Sequence, residues 1–171
     1  FDGDLDEAHP GTAVTVTLAD EVDVSRGDVL VHPDRLPQRS HELEATIVWM
    51  SETPMVRGKE YLVQQATRVV PGRITEVAHR VDVNTLDHEP ADALALNEIG
   101  RCTLSCDQQL LFDAYERNRT TGAFILVDRV TNATVAAGMI AAQDSAWDVE
   151  PDEHLQRHAS QITVDERVAR Y

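Results

Sequence analysis

Six stretches of this chain read as β-rich strands separated by turns. They cover residues 43–50, 60–70, 73–83, 99–106, 123–130 and 135–140. A period of two puts alternate side chains on opposite faces of a pleated strand, so these runs predict half-buried β-structure. The punctuation agrees, because Arg57-Gly58-Lys59, Pro71-Gly72 and Arg129-Val130-Thr131-Asn132-Ala133 are turn sequences. The predicted class is all-β: a small six-stranded closed barrel, since closure removes the unpaired edges of an open sheet. The first strand is apolar on both faces, with Leu43, Ala45, Ile47 and Trp49 on one and Val48 and Met50 on the other. Such a strand is expected to be covered by a neighbouring domain. Residues 91–98 stay open between a short helix and a loop with one turn.

The flanks read differently. Val14, Val16 and Leu18 alternate with Thr15 and Thr17, and Ser25-Arg26-Gly27-Asp28 then leads into Val29-Leu30-Val31, which predicts a strand, a turn and a strand. Pro33 and Pro37 favour an extended connector over 32–39, and a domain boundary is expected there. After Ile140 the alternation gives way to an acidic tail with Asp144, Asp148, Glu150, Asp152 and Glu153, read as a linker with a short helix over 151–158. The expected division is 1–35 as the end of one barrel, 36–142 as a complete barrel and 143–171 as linker. Phe1-Asp2-Gly3-Asp4 offers neither an initiator Met nor a secretory signal, so the chain is expected to begin inside a longer protein. The longest apolar runs, such as 124–127, are far too short for a membrane span.

Charge narrows the partners. Thirty acidic residues against 15 basic give a formal charge of -15, which repels a polyphosphate backbone. Nucleic acid is therefore disfavoured as a partner. Cys102 and Cys106 stand four residues apart in one predicted strand, roughly 13 Å at strand rise, too far to bridge. A reduced, cytoplasmic setting is the simpler expectation.

The groups that could carry chemistry are sparse. A phosphate-binding loop needs Gly-Lys-Ser/Thr, but the single lysine, Lys59, is followed by Glu60. The same context rules out the Asn-Lys-x-Asp guanine-reading motif. His154 and His158, four apart beside Glu150 and Asp152, would share one helix face at a spacing a metal can use, yet spacing supplies no third ligand and a solvated acidic linker is the plainer reading. Cys102 and Cys106 beside Asp107 read as core cysteines rather than ligands. His79 could serve as a general base if Asp82 oriented it, against the simpler reading of an ordinary strand histidine. Ser25 and Ser105 have no nucleophile-elbow context. The acidic cluster Asp20-Glu21 and Asp23 lacks the regular series of a calcium loop, and Arg26-Gly27-Asp28 reads as a turn with Gly27 free to take positive φ. No catalytic, cofactor-binding or metal-ligating residue is assigned to this chain.

Three matches in order carry a resemblance. Residues 11–18 followed by 23–30 resemble the close of the second domain of translation-type GTPases, 42–50 the opening strand of their third domain, and 121–128 through 135–140 its closing hairpin. Within that superfamily His79-Arg80-Val81-Asp82-Val83-Asn84-Thr85-Leu86, Leu96-Asn97-Glu98-Ile99-Gly100 and 118–128 resemble specifically the GTPase subunit of ATP sulfurylase, sulfate adenylyltransferase subunit 1. The tail 161–171 is similar to the approach to an adenylylsulfate kinase domain in fused versions. The resemblance implies a parent whose N-terminal domain binds and hydrolyses GTP, with GTP, ATP and Mg as its cofactors and none on this chain. It implies two partners for the barrels: the parent's own GTPase domain and a catalytic adenylyltransferase subunit that makes adenylylsulfate and pyrophosphate. The alternatives are a tRNA- or ribosome-facing barrel of an elongation-factor-like GTPase, which the acidic charge opposes, and a free-standing interaction domain.

Overall fold

The computed structural model describes residues 5–9, 11–19, 21–32 and 34–142. Its strands are β1 (Gln38–Trp49), β2 (Glu60–Gln65), β3 (Arg68–Val81), β4 (His88–Glu89), β5 (Ile99–Phe112), β6 (Ala123–Asp128) and β7 (Thr134–Ile140). Neighbours follow the order β2-β6-β7-β1-β5-β3, every pair antiparallel, and β2 also pairs with β3, which closes six strands into a barrel. Two-residue β4 is an addition to the end of β3.

Alternation fills the interior. Leu43, Ala45, Ile47 and Trp49 of β1, Tyr61 and Val63 of β2, Leu104 and Phe112 of β5 and Leu126 of β6 all point inward and are buried. Trp49 and Tyr61 meet edge to face at 5.8 Å, and the indole N–H is satisfied by the Thr53 carbonyl at 2.8 Å. Buried Gln65 is held the same way, donating to the carbonyls of Leu111 at 3.0 Å and Thr121 at 2.7 Å. It ties the end of β2 to the end of β5 and to the connection that leads into β6.

Three details depart from the sequence reading. The reversal expected at Pro71-Gly72 occurs earlier, at Ala66-Thr67, where Ala66 takes φ +48 and Gln65 pairs with Arg68. Counting from that closing pair, Pro71 opposite Leu62 falls on a non-hydrogen-bonded pair, and pairing with β5 begins only at Gly72, so the missing N–H costs β2 nothing. Gly72 serves packing instead, since a Cβ there would lie 2.7 Å from Val63 Cγ2. Second, β3 breaks its alternation at Thr75 and Ala78 because the register against β5 shifts between Ile74 and Glu76 and again between Val77 and His79. Third, β5 continues to Phe112 and β1 starts at Gln38, so both outrun their predicted ends. Residues 91–98 take the loop alternative, with Asn97 at φ +66.

The strands expected within 12–31 do not form. Val14, Val16 and Leu18 are exposed, and no ladder includes them. Alternation marks a strand but does not supply one; the backbone groups need a neighbour, and none of the described residues provides it. The turn is as expected: Gly27 has φ +104, Asp28 N–H donates to the Ser25 carbonyl at 3.0 Å, and Asp28 Oδ2 accepts the Ser25 N–H at 2.7 Å. That turn lies on the barrel, with Arg26 Nε donating to the Thr67 carbonyl and Gly27 buried against Arg68. The short helix predicted over 151–158, and the whole of 143–171, lie outside the described residues.

Candidate interaction surface

The structure disperses the residues singled out for chemistry. Lys59 Nζ sits 2.6 Å from Asp128 Oδ2 and 5.3 Å from the Tyr61 ring centroid. Asp128 Oδ1 in turn accepts the backbone N–H groups of Val130 and Thr131, so the carboxylate pins the β6–β7 turn to the start of β2. The Lys59 hydrogen bond, aided by those N–H groups, holds the Asp128 carboxyl well below the usual carboxylate range, and the same bond raises Lys59. His79 stacks on His88 at 3.9 Å, while the Asp82 carboxylate is engaged by the Asn84 and Thr85 N–H groups at 2.7 and 3.1 Å. Burial, then His88 and Arg101, lower the His79 pKa. Asp82 and His79 are thus not brought together as a base and its orienting partner.

Cys102 and Cys106 are free and buried on β5, and burial pushes both thiols up to about 12. Asp107 pairs outward with Arg73 at 3.2 Å. Ser25 belongs to the docked turn, Ser105 lies mid-β5 opposite Glu42, and Glu21 and Asp23 are exposed. Asp20, His154, His158, Glu150 and Asp152 lie outside the described residues. Among the described residues no group of three or more His, Cys, Asp or Glu could hold a metal ion, and no helix is long and apolar enough to cross a membrane.

What the barrel does bring together is an apolar groove on its outside. Val48 of β1, Ala137 and Met139 of β7 and Ile125 of β6 line it, with Gln64 and Tyr115 at its margins and a volume of about 500 Å³. These are the outward positions of strands whose inward positions fill the core, so both faces are apolar along β6 and β7 and, on β1, at Val48, where the other outward positions are Glu42, Glu44 and Thr46. The sequence reading identified the β1 half, through Val48, but not Ile125, Ala137 and Met139. The same signal was present in the outward positions of 123–128 and 134–140. The groove reaches Ala66, next to the hairpin residues that Arg26 and Gly27 contact. It therefore adjoins the place where the preceding chain already packs.

Fold and groove together define a closed six-stranded β-barrel module with an apolar patch on its outer face. A family model described as GTP-eEF1A C-terminal domain-like matches residues 42–141, the barrel itself, and the chain belongs to that family. It is 51% identical, over all of its length, to 28% of a bifunctional enzyme CysN/CysC of Rhodopirellula baltica. It is 48% identical over 99% of its length to 38% of a sulfate adenylyltransferase subunit 1 of Chromobacterium violaceum, and 47% identical over 92% to 36% of that subunit of Saccharophagus degradans. The chain thus spans about a third of these curated relatives. Among solved structures, Sup35 complexed with GMPPNP shares the fold at TM-score 0.62 and 20% identity, over 72% of this chain and 30% of that one.

Proposed function

We propose that this chain is the C-terminal barrel region of the GTP-hydrolysing subunit of a sulfate adenylyltransferase, acting in the cytoplasm. Its role is to couple GTP hydrolysis to the formation of adenylylsulfate and pyrophosphate from ATP and sulfate. Residues 1–35 close a preceding barrel, 36–142 form the third domain, and 143–171 lead outward, toward an adenylylsulfate kinase domain in a fused form. GTP, ATP and Mg act elsewhere in the parent, and this chain contributes no catalytic residue.

The observation that carries this reading is identity near one half that runs beyond the barrel, over 99% of the chain, to a relative named sulfate adenylyltransferase subunit 1. The groove of Val48, Ile125 and Met139 supports a docking role, since an apolar outer face next to the entering chain suits the parent's own GTPase domain. A translation-factor barrel has less support: Sup35 shares the fold at 20% identity, and a chain of charge -15 is poorly matched to RNA. The test is to co-express the full parent with a catalytic adenylyltransferase subunit. The reading expects a stable heteromer that hydrolyses GTP. A parent that neither binds GTP nor joins such a subunit refutes it.

A further inference from the structure

An antiparallel six-stranded barrel has two ends, and here they differ. The β2–β3 hairpin at Ala66-Thr67, the connection 113–122, the entry into β1 at Gln38 and the exit from β7 at Ile140 all lie at one end. The connections 50–59, 82–98 and 129–133 lie at the other. The chain therefore both enters and leaves the barrel at the first end, and the curated relatives are about three times as long as this chain. From Gln38 onward, the exposed large hydrophobic residues are Met50, Val56, Val69, Val83, Leu86, Leu96 and Val130, and all but Val69 lie in connections at the second end. Leu86 is 72% exposed and Val130 is 88% exposed.

These loops are rigidly backed. Asp82 organises the tip of 82–87: its carboxylate takes the Asn84 and Thr85 N–H groups, its carbonyl accepts Leu86 N–H at 2.8 Å, and its own N–H donates to the Asp87 carbonyl at 3.0 Å. Leu86 is held there at φ +63, a conformation a leucine adopts only when its surroundings impose it. Arg80 bridges Glu89 and Glu98, joining β4 to the 91–98 loop. Met55 N–H donates to the Leu94 carbonyl, which ties the 50–59 and 82–98 connections together, while Met50 N–H donates to the Val135 carbonyl of β7 and Asn97 N–H to the Trp49 carbonyl of β1. Asp128 fixes the turn beneath Val130. Glu52, Asp87 and Asp92 of these connections carry exposed carboxylates that, among the described residues, make no ion pair. The exposed cations Lys59 and Arg129 are paired with Asp128 and Glu60, so these carboxylates outnumber the remaining exposed cation, Arg57.

We propose that this free end of the barrel is the docking surface for a separate polypeptide, the catalytic adenylyltransferase subunit. The partner presents an apolar socket for Leu86, Val83 and Val130, rimmed by basic side chains. This rests on the function proposed above and adds which end of the barrel the subunit meets. Preorganised apolar knobs with a charged rim are the anatomy of a specific interface. Carboxylates at the rim disfavour nucleic acid, and the entry into the barrel at Gln38 and its exit at Ile140 both lie at the far end, which leaves this end clear of the chain's own connections to its flanks.

The test uses the full parent chain and the co-expressed adenylyltransferase subunit, comparing the unmutated chain with Leu86→Asp, Val130→Asp and the double variant. These side chains are exposed, so circular dichroism and GTP hydrolysis by the isolated parent should be unchanged. The partner should bind at least about tenfold more weakly to each single variant and more weakly still to the double variant. Partner affinity within about twofold of normal for the double variant overturns the docking surface while leaving the assignment of the parent intact. Loss of a homodimer with the heteromer preserved overturns the choice of partner. Failure of the unmutated chain to bind the subunit overturns both readings.

Discussion

Replacing Gly138 with alanine should destabilise this barrel through one contact. Gly138 is buried in β7, directly opposite Phe124 of β6 and Ile47 of β1. A Cβ at this position would stand 2.1 Å from Phe124 Cζ and 2.5 and 2.6 Å from its Cε atoms. Carbon atoms pack at about 3.5 Å or more, so the ring would have to retreat by roughly 1.4 Å. The ring is 3% exposed and lies between paired strands, so it has little room to move. Overpacking of this kind costs about 1–3 kcal/mol, whereas glycine to alanine without a clash gains about 0.4–1 kcal/mol from the unfolded chain. For a domain of this size, Gly138→Ala should lower Tm by about 5–20 °C in thermal unfolding followed by circular dichroism. In a Phe124→Leu background, which removes the ring, the same substitution should be neutral or stabilising. An unchanged Tm for the single variant, or the same penalty in both backgrounds, would refute the reasoning.

Further outcomes follow from the polar and titratable groups. Gln65→Leu removes donors to two carbonyls and should cost about 1–3 kcal/mol in denaturant unfolding. In the native state at pH 8, Cys102 and Cys106 should resist alkylation and react only once unfolded, because burial keeps both as thiols with pKa about 12. His79 should titrate below its ordinary 6.5 by NMR. Its lowered folded pKa means that its contribution to stability is complete above the unfolded value and is lost as pH falls from there through the folded value. His88→Asn should move the titration back upward. Lys59→Met should return the Asp128 carboxyl toward 3.8, and the stability that pair contributes should be lost as pH falls through the depressed folded pKa in the parent but not in the variant.

Much of the barrel was legible because its interior obeys a period of two. Leu43, Ala45, Ile47 and Trp49 could be assigned to one buried face without coordinates, and they occupy it. Register was not legible. Pro71-Gly72 has turn chemistry, yet its proline falls on a pair that needs no hydrogen bond and its glycine receives Val63, a fact of pairing rather than of local composition. The two bulges in β3 were hidden for the same reason. Residues 12–18 show the opposite failure, since the alternation is plain but a strand without neighbours has nowhere to place its backbone bonds. The outer groove was half visible in Val48. The exposed apolar end was not, because Leu86 and Val130 sit in turn sequences and only the topology gathers their loops at one end.

The most direct test of the coupling role is pyrophosphate release from ATP and sulfate by the complete heteromer, with and without GTP, compared for the parent and for a parent lacking residues 36–142. The account predicts that release depends on GTP in the intact heteromer, and that removing the barrel abolishes this dependence while GTP hydrolysis continues. Pyrophosphate release that remains equally stimulated by GTP without the barrel would contradict it.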